Sequence, residues 1–255
     1  MISIKSKTEI DAMKVSGRIV NTVLNEIGKA IRPGITTLEL DNLATGIILK
    51  SGAIPSFKGQ KGHKDAPDFP AGICASVNNE VVHGVPCLRH LKDGDIISID
   101  VGAFCNGFHA DAARTFPVGV ISRNAARIIK VTEESFFEGI KNAVVYDGKR
   151  IYDISAAIQD HVEGHGYSIV RDYVGHGIGR DMWESPQIPN FRAKERGPKL
   201  MAGMALAVEP MVNEGRYEVK VLDNKWTVVT KDGSLSAHYE NTIILTDGEP
   251  LIITI

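Results

Sequence analysis

Gly94-Asp95-Ile96-Ile97-Ser98-Ile99-Asp100-Val101 is a glycine, an apolar run and a terminal acid, and the second half of the chain repeats the pattern. Gly203-Met204-Ala205-Leu206-Ala207-Val208-Glu209 carries its acid at the same offset from its glycine. Short apolar runs bounded in this way read as buried strands. Each precedes a further strand segment. Two such halves would place Asp100 and Glu209 on facing strands. An acid at the end of a buried run is costly unless something neutralises it, so the fold and the site are one question.

Working outward, Ile10, Met13, Ile19, Val20, Val23, Leu24 and Ile27 recur at helical spacing and predict a helix over 8–31. Arg32-Pro33-Gly34 stops it, and Thr36 with Glu39 forms a capping box that opens a second helix ending near Gly52. From Ala53 to Pro70 the chain is rich in Gly, Pro and Lys and reads as a loop, followed by a strand over 73–77 and a turn at Asn78-Asn79. Ser122 caps a helix predicted over 123–144, and another is predicted over 153–164. The last third reads as short strands: 168–171, 205–212, 218–222, 227–230 and 239–245.

The bulk properties exclude more than they assign. A length of 255 residues suits one domain spanning 1–255. A net charge of −2 with no dense basic stripe argues against nucleic-acid binding. No apolar run approaches a membrane span, and the N-terminus lacks the apolar core of a signal peptide. Cys74, Cys87 and Cys105 are odd in number and lack CxxC spacing, so they read as reduced thiols of a cytoplasmic protein.

The chemistry lies in five short contexts. Asp100 ends the first strand; Asp111 follows in Gly107-Phe108-His109-Ala110-Asp111. His176 lies in Val174-Gly175-His176-Gly177-Ile178-Gly179, Glu209 in Ala207-Val208-Glu209-Pro210, and Glu240 in His238-Tyr239-Glu240-Asn241-Thr242. Four carboxylates and one imidazole form an oxygen-rich set whose charge two divalent cations would cancel, which suits Mn, Fe, Co or Zn.

These motifs, in this order and spacing from about Ile10 to the C-terminus, resemble the type I methionine aminopeptidases, dinuclear metallopeptidases of the pita-bread fold. The resemblance implies an α/β (α+β) fold of two pseudo-symmetric halves around a curved antiparallel sheet, with helices outside. It implies that Asp100 chelates one metal, that Asp111 and Glu240 bridge both, and that His176 and Glu209 complete the second. It implies removal of N-terminal methionine from nascent proteins when the next residue is small, through a metal-bridged hydroxide. Glu209 is then ligand and general base, and His83, in Asn79-Glu80-Val81-Val82-His83-Gly84-Val85-Pro86, contacts the substrate near the scissile bond. Phe69, Cys74, Met182 and Trp226 match or approximate the walls of the methionine pocket. The remaining histidines, His63, His90, His109, His161 and His165, read as surface or structural residues, with His238 a weaker candidate for orienting a ligand or substrate.

The chain departs from the family at two places. Seven residues after His176 the family pattern has a second histidine, and here the position holds Trp183, in Arg180-Asp181-Met182-Trp183-Glu184. Indole has one donor, no acceptor and no titration, and losing one transition-state contact costs roughly 3 kcal/mol, about a hundredfold in rate. Gln60 replaces a common tyrosine, and Lys64-Asp65-Ala66-Pro67-Asp68 reads as extra loop before Phe69. A slower or specialised paralogue is therefore one expectation. The rival readings are an aminopeptidase of other specificity and a non-catalytic protein that binds peptide N-termini. Proline-directed relatives, with a large added N-terminal domain, fit less well because the first helix begins almost at once. The expected partners are nascent N-termini, with any ribosome contact made through the folded surface, and the expected state is a monomer.

Overall fold

The computed structural model describes residues 2–62 and 66–255. In chain order its elements are α1 (Lys7–Ala30), α2 (Thr37–Lys50), β1 (Ile54–Pro55), β2 (Cys74–Val77), β3 (Glu80–Val82), β4 (Ile96–Cys105) and β5 (Phe108–Pro117). After them come α3 (Arg123–Ile140), α4 (Ile151–Gly164), β6 (Ser168–Ile169), β7 (Gly175–Gly177) and β8 (Glu184–Ile188). The chain closes with β9 (Ala205–Val208), β10 (Met211–Asn213), β11 (Val219–Val221), β12 (Val228–Thr230), β13 (Ser236–His238), β14 (Asn241–Ile244) and β15 (Leu251–Ile252).

The helix boundaries follow local chemistry. Ser6 and Glu9 form a reciprocal capping box that starts α1, and Thr36 with Glu39 does the same for α2. The predicted helix over 123–144 stops at Ile140 instead. The amides of Asn142 and Ala143 bond back to Gly139 and Ile140, a tighter turn, while Ala143 and Val144 remain buried and so keep the apolar pattern going. At α4, Asp153 accepts the Arg150 amide at 2.8 Å, which draws the helix start forward to Ile151.

The two echoing stretches occupy equivalent places. β4 is the centre of an antiparallel set between β2 and β5, and β9 is the centre of another between β7 and β14. One large apolar cluster unites α1, α2 and the β2–β4–β5 sheet; a second unites α3, α4 and the β9–β14 sheet. Burial of these stripes against the sheets supplies the main stabilisation of each half.

The predicted single strand over 205–212 is broken at Glu209–Pro210. Proline cannot donate to a ladder, and β9 and β10 lie in different sheets, as do their partners β14 and β13. The register nevertheless carries across the break: Val208 faces Asn241 and Met211 faces His238. Glu209 and Glu240 therefore stand opposite one another where both chains change sheet.

A second seam joins the halves. Ala113 and Glu240 exchange backbone hydrogen bonds, Glu240 N to Ala113 O at 2.9 Å and Ala113 N to Glu240 O at 3.3 Å. Two residues to either side, threonine hydroxyls repeat the exchange: Thr242 Oγ1 accepts from Asp111 N and donates to Asp111 O, and Thr115 Oγ1 does the same with His238. Asp111, Ala113 and Thr115 alternate on β5 as His238, Glu240 and Thr242 alternate on the facing segment. The site sits on this seam.

Candidate metal centre and substrate cavity

All five sequence-predicted ligands line one cavity of about 490 Å³, a size that suits a small ligand. Asp100 pairs with Ala113 and Asp111 with Gly102 across the β4–β5 hairpin, so the two acids lie diagonally on one face. Glu209 and Glu240 approach from the opposite seam. Gly175 and Gly177 flank His176; a Cβ on either would come within 2.3 Å of the carbonyl oxygen of Ala207 or Ser185, so only glycine lets the neighbouring strands close on this histidine.

Like charges on adjacent strands are unfavourable, and these are also desolvated. Burial pushes Asp100 up to about 7. Burial, aided by the neighbouring acids, holds Asp111, Glu209 and Glu240 well above the usual carboxylate range. Asp100 Oδ1, Asp111 Oδ1 and Glu240 Oε1 are buried without any hydrogen-bond partner. Buried polar atoms rarely lack partners, so this cluster is built for a cation that is itself the missing partner. Asp111, His176 and Glu240 each offer a donor atom, all within 4.8 Å of one another.

The histidine is prepared for the same role. His176 Nδ1 bonds the Gly177 carbonyl at 2.8 Å, which requires the proton on Nδ1 and leaves Nε2 a bare lone pair. Burial pushes its pKa down to about 4, so it is neutral near pH 7. Nε2 lies 3.6 Å from Glu209 Oε1.

His83 follows β3 with φ of 58°, an uncommon backbone state for a residue with a side chain. The following Gly84 is anchored on both sides, its amide donating to Ser76 Oγ at 3.0 Å and its carbonyl accepting from Ala75 N at 2.8 Å. The His83 ring meets Tyr173 edge-on at 5.5 Å and Trp226 at 6.3 Å, and burial lowers its pKa to about 4. Trp226 packs edge-on against Phe69 at 5.0 Å, and its indole N–H donates to the Pro67 carbonyl at 2.9 Å. Phe69, Cys74, His83, Trp183 and Trp226 all line the cavity. Burial pushes the Cys74 thiol well up, so it acts as an apolar wall. Gln60 lines the cavity too and donates to the Ser56 carbonyl at 2.7 Å. Of the loop from Lys64 to Asp68, residues 64 and 65 lie outside the described residues.

Met182 is a correction. It is 3% exposed in the core of the first half and does not line the cavity. The chain bends through Asp181–Trp183, and it is the neighbouring Trp183 that turns to the cavity mouth, half exposed and 6.4 Å from the His176 ring.

Sequence reasoning undervalued His238 and missed Tyr173 and Met211. His238 Nε2 is buried without a hydrogen bond, 3.8 Å from Glu209 and 4.0 Å from Glu240. Burial first, then His83 and Arg114, lower its pKa to about 3. The available signal was its position two residues before Glu240, which in extended chain shares a face. Tyr173 and Met211 line the cavity but stand in stretches with no distinguishing spacing.

The sequence pattern of metallopeptidase family M24 matches residues 11–247. The chain belongs to this family. Among M24 relatives, a methionine aminopeptidase of Clostridium perfringens is 56% identical over 255 residues, covering 100% of this chain and 99% of that one. The solved structure of a methionine aminopeptidase from Thermotoga maritima superposes with a TM-score of 0.94 at 43% identity, covering 100% and 99% of the two chains. A prolidase from Pyrococcus furiosus shares the fold, with a TM-score of 0.72 at 20% identity; this chain spans 65% of its length. The M24 fold accounts for the paired half-sheets, and this chain is a metallopeptidase of that fold. Among the described residues no helix is long and apolar enough to cross a membrane.

Proposed function

We propose that this chain is a methionine aminopeptidase that removes N-terminal methionine from peptides and nascent proteins whose second residue is small. The observation that carries the reading is the set of buried, partnerless carboxylate oxygens beside an apolar, aromatic-walled cavity. Asp100, Asp111, His176, Glu209 and Glu240 would hold two divalent ions of the Mn, Fe, Co or Zn class. When bound, such ions lower the pKa of a water and polarise a carbonyl.

The chain's own groups supply the rest. Glu209, ionised once the cations offset the charge of its neighbouring acids, would take the proton of the attacking water and return it to the leaving amine. His83 is neutral near pH 7 and donates its ring N–H to the substrate next to the scissile bond. Phe69, Cys74, His83 and Trp226 surround an unbranched apolar side chain, which sets the preference for methionine. Trp183 crowds the mouth where the second residue of the substrate would lie, which favours a small one. It has a single donor and cannot relay a proton, so turnover is slower than with a histidine at this place.

The whole span 1–255 acts as one catalytic unit, monomeric and cytoplasmic, meeting nascent chains directly and the ribosome, if at all, through its folded surface. Hydrolysis of Met-Ala-Ser, Leu-Ala-Ser and Met-Leu-Ser peptides by the metal-loaded protein tests the reading. Cleavage confined to Met-Ala-Ser supports it; no release of any N-terminal residue contradicts it.

A further inference from the structure

Far from this cavity in the sequence pattern, α3 and α4 bring together Glu134, His161 and His165, three donors that the reaction does not use. We propose that they form a second, surface metal site that binds Zn(II) and clamps the two helices.

His161 and His165 are four residues apart at the end of α4, the spacing that stacks two imidazoles on one helical face and is used for zinc in helical motifs. Their rings lie 4.4 Å apart. His165 Nδ1 bonds the His161 carbonyl at 2.7 Å, so it carries the proton and Nε2 is free to ligate. An outer hydrogen bond of this kind fixes the tautomer of many metal-binding histidines. His161 Nε2 is buried without a hydrogen-bond partner, 3.5 Å from Glu134 Oε2 on α3. In tetrahedral zinc sites donors at ~2.1 Å from the ion lie about 3.4 Å apart, so the His161–Glu134 spacing already fits. The third donor lies within 4.8 Å of the others, and a modest side-chain rotation closes the set.

The surroundings suit a partly neutralised cation. Lys130 lies 3.6 Å from the other oxygen of Glu134, Lys141 is paired with Glu138 and Arg192 with Asp160, which leaves Glu134 and the two imidazoles to face the ion. Two histidines and one carboxylate leave a coordination position for water, as in open zinc sites. The consequence is mechanical: an ion joining the end of α4 to the middle of α3 ties down the helical layer behind the β9–β14 sheet.

The test counts Zn(II) by equilibrium dialysis on the full chain, on His165→Ala and on Glu134→Gln. Each variant is expected to bind one equivalent less than the unsubstituted protein, with Met-Ala-Ser hydrolysis unchanged. A second pair separates this site from the cavity. Asp111→Ala/Glu240→Ala is expected to retain one Zn(II), whose addition at about a hundredfold excess over Kd raises Tm by ~5 °C. Adding His165→Ala to that background abolishes both. Equal Zn(II) counts with and without His165→Ala overturn the proposal, as does a Tm rise that survives the third substitution. If the double variant does not fold, the difference in equivalents between the unsubstituted protein and His165→Ala decides alone.

Discussion

The Thr242 hydroxyl holds Asp111 by both of its backbone polar groups, accepting from the amide and donating to the carbonyl at 2.9 Å each. One side chain thereby fixes an acid of the first half against the strand that follows Glu240 in the second. The two acids expected to bridge a metal pair come from different halves of the chain, so their spacing depends on this seam. Thr242→Val keeps the shape and removes both bonds. About 1 kcal/mol per bond predicts a lower Tm by several degrees and a fall in metal affinity of ~10-fold, read by metal titration. Unchanged affinity would show that the seam is not what positions Asp111.

Asp111→Ala and Glu240→Ala each remove one acid from the crowded cluster. Both are expected to abolish the metal pair and hydrolysis together while leaving the metal-free fold intact, since the desolvation of a buried carboxylate is relieved. Retained metal stoichiometry in either variant would contradict the bridging assignment.

Protonation gives a pH signature. Burial raises Asp100 from an ordinary 3.8 to about 7, and Asp111, Glu209 and Glu240 shift in the same direction. In the folded, metal-free protein these groups hold protons that the unfolded chain releases. For Asp100 the favourable contribution is complete below pH ~4 and is lost as pH rises through about 7, and the other three acids act in the same direction. The buried, neutral His83, His176 and His238 act the other way only below pH ~6.5, over a shorter part of the range. Metal-free protein is therefore expected to melt at a lower temperature at pH 8 than at pH 5.5, and added divalent metal, which replaces the protons, narrows the gap. A metal-free Tm that rises over that interval would show that the acids do not dominate the pH dependence and would contradict their large upward shifts.

Lys5 and Glu184 form an ion pair of 2.5 Å, with Lys5 only 2% exposed, and Glu184 also accepts the amides of Arg180 and Asp181. This pair anchors the bend that presents Trp183. Lys5→Met leaves the partly buried Glu184 without its cation and costs up to roughly 3 kcal/mol. The expected outcome is a Tm lower by up to ~6–12 °C and a raised KM, with kcat little changed. A KM equal to that of the unsubstituted protein would separate the bend from substrate binding.

Much of the fold was legible because its signals are local. The capping box at Thr36 and the long apolar stripes of α1 and α3 need no tertiary context, whereas the Ser6 box that starts α1 emerged only in the fold. The echo from Gly94 to Asp100 and from Gly203 to Glu209 also marked the two central strands. The short strands β1, β3, β7, β8, β13 and β15 escaped because two to five residues cannot show a period, and the one predicted strand over 205–212 hid a change of sheet at Pro210. At the site, Asp100, Asp111, His176, Glu209 and Glu240 stood out because each sits in a short distinctive context, and all five line one cavity. Met182 and Trp183 show the limit. Adjacent residues in a bend face different ways, and only the folded chain decides which meets the cavity.

The central claim is that the cavity is a working methionine aminopeptidase site with one fewer polar contact at Trp183. It is tested most directly by kcat/KM for a Met-Ala-Ser peptide with Mn(II) or Co(II), comparing the unsubstituted protein with Trp183→His. The account predicts measurable hydrolysis by the unsubstituted protein and a gain of ~100-fold or less on substitution. Failure of both forms to release methionine while both bind metal would contradict it.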